Sequence, residues 1–143
     1  MMSASLTRTE YKTLARKRLS DAKALLKTGR NDTGAYYIAG YVVECALKAC
    51  IAKQTKLYQY PPRDGASYYT HNVQALLGKA GLTDLLKTER QTNSTLDTNW
   101  KAVEQWAETS RYEVAVTRIK AQEIIDAIED PVNGVLQWIS AHW

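Results

Sequence analysis

Apolar residues recur every three or four positions along most of this chain, which is the period of an amphipathic α-helix. Residues 9–27 show that period clearly and are followed by Gly29, a residue type that often ends a helix. Residues 32–54 form a second predicted helix that is apolar almost all the way round. The turn between the two segments is short, so we expect the first and second helices to be antiparallel neighbours.

The second predicted helix carries a single polar line. Its members are spaced at i, i+4, i+7 and i+11, which places them on one helix face: Tyr37, Tyr41, Glu44 and Lys48. A helix that is otherwise apolar must be surrounded by protein, so we expect this carboxylate and this ammonium to be partly removed from water. Buried charges cost free energy unless they are paired or used. Glu44 and Lys48 therefore belong either to a structural polar network or to a ligand site.

The middle of the chain is predicted to be irregular before it becomes helical again. Residues 56–69 contain four tyrosines, two prolines and a glycine, a composition that favours a long loop. Such a loop could stack on a base or simply cover the end of a helical bundle. Thr70 is the predicted cap of a third helix that starts at His71, and residues 82–87 give a further short helical segment.

The C-terminal half alternates between polar and helical segments. Residues 89–99 are polar and are predicted to be a loop in which Asp97 caps the next helix. Three helical segments follow in the prediction: residues 99–108, a long helix from Thr117 to the Asp130-Pro131 pair, and a final turn or two within residues 133–143. No segment has a convincing strand pattern. We therefore predict an all-α protein, an up-and-down bundle of four to six helices in one domain, residues 1–143.

Charge is distributed unevenly along the 143 residues, although the net charge is only +4. Residues 1–30 contain eight Lys or Arg and two Asp or Glu, whereas residues 82–143 contain six and ten. The basic end either faces phosphates or is the solvated face of the first helix. The acidic end could equally lie against the basic end of a second copy.

The cysteines, the histidines and the N-terminus limit which chemistry and which cellular compartment we expect. Cys45 and Cys50 lie five positions apart on the second helix, so they point in different directions and an intrachain disulfide is not expected. No Cys/His cluster has metal-ligand spacing, so we expect no metal site and no cofactor. The N-terminus lacks the apolar core of a signal peptide, and no apolar run reaches the length expected of a membrane span. We expect a cytoplasmic protein that does not associate with membranes.

Five segments, in their order along the chain, carry a family resemblance: residues 18–26, residues 34–49, Thr70-His71, residues 110–112 and residues 130–138. Over nearly the whole chain they resemble the small bacterial HEPN-domain proteins (higher eukaryotes and prokaryotes nucleotide-binding). The resemblance implies an up-and-down helical bundle that commonly forms a homodimer. It also implies a link to nucleotides or RNA. HEPN proteins are often encoded beside a minimal nucleotidyltransferase, in toxin–antitoxin pairs, and some are ribonucleases.

Ribonucleases of this family carry an Arg and a His separated by four to six residues, near the start of the last helix. Arg111 occupies the corresponding place, but residues 116–118 are Val, Thr and Arg, and the next histidine is His142. RNA cleavage without a metal needs a group that exchanges protons near neutral pH, which an arginine does not do. The chain therefore lacks the complete catalytic motif that the resemblance would imply.

The residues of the Ser-Arg-Tyr segment remain candidates for binding. Arg111 could clamp a phosphate while Tyr112 stacks on a base, or Arg111 could pair with a buried acid such as Glu44. His71, placed at a predicted helix N-terminus, is expected to be neutral and to act as a structural cap or as a proton carrier. We expect a nucleotide- or RNA-binding cleft lined by Tyr37, Tyr41, Glu44, Lys48, His71, Arg111 and Tyr112.

Three hypotheses for function follow from these features. The first is a homodimeric HEPN module that binds a nucleotide, RNA or a nucleotidyltransferase partner. The second is a metal-independent ribonuclease toxin that uses Arg111 with a non-standard proton carrier, for which His71 is the candidate. The third is an interaction subunit whose polar residues are all structural.

Overall fold

The computed structural model describes residues 6–55, 57–60 and 68–143, apart from the side chain of Arg111. These residues form seven α-helices: α1 (Arg8–Lys27), α2 (Asp32–Ala52), α3 (Val73–Lys79), α4 (Thr83–Thr92), α5 (Ser94–Glu104), α6 (Arg118–Glu129) and α7 (Val135–Ser140). A 3-10 helix, Glu108–Tyr112, connects α5 to α6. Within the described ranges, β-structure is limited to one antiparallel bridge between Thr7 and Gln59. The prediction of an all-α helical bundle is confirmed, but the predicted count of four to six helices is too low, because α4 and α5 are two helices over residues for which a short helical segment and a loop were expected.

Helix α2 lies at the centre of the bundle. It contacts α1, α3, α6, α7 and the 3-10 helix, and its contact with α1 is the most extensive. Every residue from Val42 to Ala52 is buried. A helix enclosed in this way needs no wide polar face, which explains its almost uninterrupted apolar sequence.

Length and composition alone would allow α2, among the described helices, to cross a membrane. This finding corrects the expectation that no apolar run in the chain reaches that length. Most of the helix is buried by other parts of the chain, as in the core helix of a globular domain. The apolar character of α2 is therefore accounted for by its central position.

Helix α1 begins at a capping box. The Thr7 hydroxyl accepts a hydrogen bond from the backbone N–H of Glu10, whose carboxylate accepts one from the backbone N–H of Thr7. After the helix, Gly29 adopts a φ of +73°, which a residue without a Cβ reaches at little cost. The fully or nearly fully buried positions of α1 are Ala15, Ala22 and Leu26. These small and apolar residues face α2 and leave the basic residues of α1 on the outside.

Residues 89–99 are helical for most of their length, and the prediction of a loop there is wrong. Helices α4 and α5 cover the segment and are separated only by Asn93. The Asn93 side chain, rather than Asp97, caps α5 by accepting a hydrogen bond from a backbone N–H in its first turn. Asp97 instead accepts a hydrogen bond from Arg90 at 2.7 Å, across the two helices. The polar residues that indicated a loop are the solvated faces of two short helices.

The third helix begins two residues later than predicted. Its cap is Asn72, so His71 precedes the helix instead of opening it. The hydroxyl of Thr70, the predicted cap, accepts a hydrogen bond from the backbone N–H of Asn72. Further along, Thr117 caps α6 and the helix ends before Asp130, as predicted.

Candidate functional site

The polar line of α2 begins as a hydrogen-bonded row. The phenol oxygens of Tyr37 and Tyr41 lie 2.9 Å apart. One turn further along, Lys48 Nζ donates to Glu44 Oε2 at 3.1 Å. Glu44 is 4% exposed and Lys48 is 9% exposed. A charge pair removed from water in this way is stable only while both members keep their partners.

His71 joins this row from outside α2. Its Nδ1 atom lies 2.8 Å from Glu44 Oε1, and 48% of its side chain is exposed. An ionised carboxylate only accepts hydrogen bonds, so Nδ1 carries the proton and donates it. In its neutral form, a ring bonded in this way has Nε2 as a hydrogen-bond acceptor. Because His71 precedes α3, its ring is oriented by Glu44 and not by the helix dipole.

The imidazole of His71 stands on the wall of a surface pocket of about 470 Å³. The pocket lies between the segment that leads into α3 and the connection from α5 to the 3-10 helix. Its polar lining residues are Thr70, His71, Asn72, Gln74, Glu104, Glu108 and Thr109, and its aromatic ones are Tyr69 and Trp106. A volume of this size is within the usual range for sites that hold small molecules. Imidazole, amide and carboxylate groups at such a wall can hydrogen-bond a base or a ribose.

Trp106 links the pocket to the tyrosines of α2. Its indole N–H donates to the backbone oxygen of Tyr37 at 3.2 Å. Its ring is stacked on Tyr37 with centroids 6.4 Å apart and meets the ring of Tyr41 edge-on at 5.4 Å. The indole can approach so closely because α2 has Gly40 here. A Cβ built on Gly40 would lie 1.9 Å from the indole. Tyr37 and Tyr41 therefore support the pocket from behind.

Burial is the main cause that raises the pKa of Tyr41 above its ordinary value, and the hydrogen bond with Tyr37 raises it further. The Tyr41 ring also lies edge-on to the His71 imidazole, with centroids 6.0 Å apart. A phenol with a raised pKa stays protonated at neutral pH. Tyr41 can therefore donate a hydrogen bond but does not serve as a base.

Lys48 is enclosed on the α1 side of α2. Its ammonium lies 6.0 Å from the ring centroid of Tyr11 and 5.3 Å from that of Tyr60. Burial, followed by the nearby Cys45 and Glu44, raises the pKa of Tyr11 to about 12. The Lys48 ammonium thus has a carboxylate on one side and aromatic faces on others. It is not among the residues that line the pocket, and its geometry is that of a group that holds Glu44 in place.

The described part of the tyrosine-rich segment reaches Lys48 by pairing with the start of α1. The backbone N–H of Tyr60 donates to the oxygen of Leu6, and that of Arg8 donates to the oxygen of Tyr58, each at 2.8 Å. The Tyr60 hydroxyl donates to the backbone oxygen of Tyr68. Residue 56 and residues 61–67 lie outside the described residues. Tyr60 is buried, so among the described residues of this loop the expected stacking stays a prediction for the exposed Tyr58 and Tyr69.

The Ser-Arg-Tyr corner lies in the 3-10 helix, which contacts α2. Ser110 is buried, and its hydroxyl accepts a hydrogen bond from the backbone N–H of Ala107 at 3.3 Å. Tyr112 is 71% exposed and is not one of the pocket-lining residues. The Arg111 side chain lies outside the described part of the structure. A phosphate clamp and an ion pair with Glu44 are both still predictions for Arg111.

The remaining reactive groups are held in unreactive forms. Burial raises the pKa of the Cys45 thiol to about 11 and that of the Cys50 thiol to about 12. A thiol with a raised pKa is a poor nucleophile at neutral pH, because the thiolate is the reactive form. In the described ranges, His, Cys, Asp and Glu side chains form no group of three that could hold a metal ion. The chemistry that this site offers is therefore hydrogen bonding and proton transfer at His71.

Five of the seven residues expected to line the site form one contact network: Tyr37, Tyr41, Glu44, Lys48 and His71. Of these five, only His71 lines the pocket, and the other four lie behind it. The polar wall formed by Asn72, Gln74 and Thr109 is not anticipated from the sequence, because a polar residue next to a helix cap carries no signal that distinguishes a pocket wall from solvent.

A comparison with protein-family models finds a match to the family described as HEPN domain, over residues 9–140. No curated protein and no solved structure matches the chain. The matched segment includes every described helix in whole or in part, together with all the candidate site residues.

Proposed function

We propose that this chain, which belongs to the HEPN domain family, is a nucleotide- or RNA-binding module whose binding pocket is the one beside His71. Membership of the family supports only a broad link to nucleotides or to ribonuclease activity. The observation that carries the proposal is the hydrogen bond between Glu44 and His71, which holds an imidazole acceptor at the pocket wall. A pocket with a few convergent polar groups, one of them tied to a buried charge, is typical of a functional site.

The pocket is better suited to a base or a ribose than to a phosphate. Its described lining residues include no Lys or Arg, and Glu104 is paired with Arg90, which lies outside the lining. Side-chain amides and hydroxyls of the wall, such as those of Gln74 and Thr109, match the donors and acceptors of a base edge and a ribose. Tyr69 is 71% exposed and offers an aromatic face on which a base can stack.

Binding is tested by titrating the protein with nucleoside monophosphates and with a short single-stranded RNA labelled for fluorescence anisotropy. We expect a rise in Tm with the ligand, because a ligand that binds only the folded state stabilises it. The His71→Ala variant should bind at least about tenfold more weakly, which corresponds to about 1.4 kcal/mol.

The matched control is His142→Ala. His142, the other histidine of the chain, lies against the ring of Trp138 at 4.6 Å and is not a pocket-lining residue. We expect this variant to bind like the wild type. Equal ligand affinity in His71→Ala, His142→Ala and wild type would overturn the proposal.

The Glu44–His71 pair also favours a second candidate function, cleavage of RNA without a metal. A carboxylate that orients a histidine is an arrangement in which the far ring nitrogen acts as a general base. Nε2 of His71 would take the proton of a ribose 2′-hydroxyl, which would then attack the adjacent phosphorus and expel the 5′-oxygen. Arg111 would stabilise the charge on the phosphate.

Purified protein should then release fragments that end in a cyclic phosphate, and His71→Gln and Arg111→Ala should abolish this without lowering Tm. If the RNA stays intact after long incubation, cleavage is excluded and binding is the function that remains.

From the family we further infer a homodimer and a nucleotidyltransferase partner, and from the two free cysteines a cytoplasmic location. Sedimentation velocity of the purified protein tests the homodimer. Co-purification with the product of a neighbouring nucleotidyltransferase gene tests the partner. Tight co-purification, combined with no response to nucleotides or RNA, would support the third hypothesis, in which the chain is an interaction subunit.

A further inference from the structure

Four cations lie together where the N-terminal half of α1 meets the end of α2. Arg8, Lys12 and Arg16 recur every four residues along α1, so they share one face and follow one another at about 6 Å along the axis. Lys53 follows the last residue of α2. Their proximity is reflected in Lys12, whose pKa is lowered first by desolvation and then by the charges of Arg8, Arg16 and Lys53. We call these four residues the cationic patch.

Some of the other basic residues on α1 are already paired with carboxylates. Arg18 pairs with Asp21, and Lys23 pairs with Glu129. Among the described side chains, Lys12, Arg16 and Lys53 have no carboxylate within ion-pair distance, while Arg8 donates to the main-chain oxygen of Trp143 at 2.5 Å. Like charges in such a cluster repel one another until an anion neutralises them.

Aromatic rings accompany the cationic patch. The Lys12 ammonium lies 5.4 Å and the Arg16 guanidinium 4.9 Å from the ring centroid of Trp143. The Arg8 guanidinium lies 6.0 Å from the ring centroid of Tyr58, a half-exposed residue with a φ of +50°. Trp143 is itself buried, so Tyr58 is the ring of this set that is exposed for stacking. Cations beside exposed aromatic rings are the usual means of binding single-stranded nucleic acid without sequence preference.

We propose that the cationic patch binds the phosphate backbone of single-stranded RNA, with Tyr58 as a stacking position at its edge. This proposal rests on the proposed function and adds a second contact, separate from the pocket beside His71. The described residues that line the pocket include no Lys or Arg, so a strand that places a base there needs its backbone neutralised elsewhere. The two regions are connected through Tyr11 of α1, whose ring centroid lies 6.0 Å from the Lys48 ammonium that pairs with Glu44.

The surroundings favour RNA over a lipid surface as the occupant. A helix that lies on a membrane presents large apolar residues beside its basic ones. On α1 the exposed positions are instead polar or charged, such as Thr13, Lys17 and Ser20. At its Arg16 end the cationic patch borders Glu129, whose carboxylate is paired with Lys23. The positive surface is thus a short strip, suited to a few successive phosphates.

The test is the salt dependence of binding to a labelled single-stranded RNA, measured by fluorescence anisotropy from low to high KCl. In the triple variant Lys12→Gln/Arg16→Gln/Lys53→Gln we expect at least about tenfold weaker binding at low salt. The slope of log affinity against log salt should fall by about 2, because each lost phosphate contact removes about 0.7. The matched control is Lys27→Gln/Arg30→Gln/Lys87→Gln. It removes the same charges from exposed positions elsewhere and should keep most of the wild-type slope.

Failure of the cationic patch and failure of the pocket give different results. His71→Ala should weaken binding while keeping the wild-type salt slope, because the variant keeps every cation. If the triple variant and its control have the same slope and affinity, the cationic patch does not bind RNA. If the wild type binds nucleoside monophosphates but no RNA, the patch proposal is overturned and the pocket proposal is not; if it binds neither, both are overturned. Equal, patch-dependent binding to phosphatidylserine vesicles would assign the strip to a lipid surface instead and also overturn the proposal.

Discussion

Helices α1 and α2 pack against each other along their length but carry charge in opposite ways. On α1, Lys12 and Arg16 have no acidic side chain beside them among the described residues. On α2, the charges of Glu44 and Lys48 are both buried and are paired with each other. An exposed charge needs no partner because water solvates it, whereas a buried charge persists only with a well-placed one. The charges of α1 are therefore available to a ligand, and those of α2 fix a geometry.

The buried pair of α2 has one connection to the surface, which is His71. The two oxygens of Glu44 are divided between Lys48 on the inside and His71 at the pocket. Lys48 in turn is held by aromatic rings of α1 and of the segment 57–60. The position of a half-exposed ring thus depends on residues deep in the bundle.

The largest expected effect is that of removing the buried carboxylate. Glu44→Ala leaves the Lys48 ammonium buried without its partner, so we expect the free energy of unfolding to fall by about 3–5 kcal/mol. The measurement is urea unfolding followed by tryptophan fluorescence. On the exposed side, Glu123→Ala should change stability by less than about 0.5 kcal/mol.

Replacing both members of the pair separates charge from packing. The double variant Glu44→Leu/Lys48→Met should recover most of the lost stability, because apolar side chains of similar volume often replace a buried pair without loss. A Glu44→Ala variant as stable as Glu123→Ala would show that the pair is not isolated from water.

The second expected effect concerns how closely α2 is packed. Gly40→Ala places a methyl group against the Trp106 indole, and we expect a loss of about 1–3 kcal/mol from overpacking. Gly34→Ala, on the same helix, meets nothing closer than 3.7 Å and should be neutral or gain up to about 1 kcal/mol in helix propensity. Thermal unfolding of both variants gives the comparison directly. Similar Tm values for the two would contradict the observed contact.

The third expected effect is a dependence of the free energy of unfolding on pH, caused by the two buried thiols of α2. Both its thiols have pKa values raised from 9.0 by burial, to about 11 for Cys45 and about 12 for Cys50. The stability that the two thiols contribute is fully present below pH 9, where the thiols are protonated in both the folded and the unfolded protein. It is lost as the pH rises through the folded-state pKa values. We expect stability to fall by up to about 1.4 kcal/mol per pH unit for each thiol above pH 9. Urea unfolding from pH 8 to 10.5 measures the slope.

The Cys45→Ala variant is the control for this pH slope. It should show a shallower decline than the wild type over the same range, whatever its stability at pH 8. An unchanged slope would mean that the thiol of Cys45 ionises in the folded protein as readily as in the unfolded chain.

The smallest expected effect is that of neutralising α1. Lys12→Gln/Arg16→Gln should change the free energy of unfolding by less than about 0.5 kcal/mol, since exposed charges contribute little. Added salt should stabilise the wild type slightly more than the variant, because screening relieves the repulsion within the cationic patch. Thermal unfolding at low and high KCl checks this. A loss of 2 kcal/mol or more would place these side chains in the structural framework instead of the surface.

Much of α2 could be predicted from the sequence because its pattern has one explanation. A long apolar helix must be enclosed, and the spacing of Tyr37, Tyr41, Glu44 and Lys48 then places them on one face. The loop prediction for residues 89–99 is wrong because contacts between two helices, and not a local apolar pattern, accompany the helical structure there. Arg90 of α4 forms ion pairs with Asp97 and Glu104 of α5.

The partner of His71 could not be found from the sequence alone. Glu44 lies 27 positions earlier, and no local pattern reports a contact across that separation. The close approach of Trp106 to Gly40 is hidden for the same reason. A glycine inside a helix suggests a close neighbour, but it does not identify that neighbour.

The central claim is that Glu44 holds His71 with its proton on Nδ1 and its Nε2 atom available at the pocket. Long-range ¹H–¹⁵N NMR of the labelled protein near neutral pH measures this directly, and His142→Ala assigns the resonances because the chain has only two histidines. We predict a ring protonated on Nδ1, and an Nε2 resonance that shifts when the single-stranded RNA is added. A ring protonated on Nε2, or an Nε2 resonance unchanged at saturating RNA, would contradict the account.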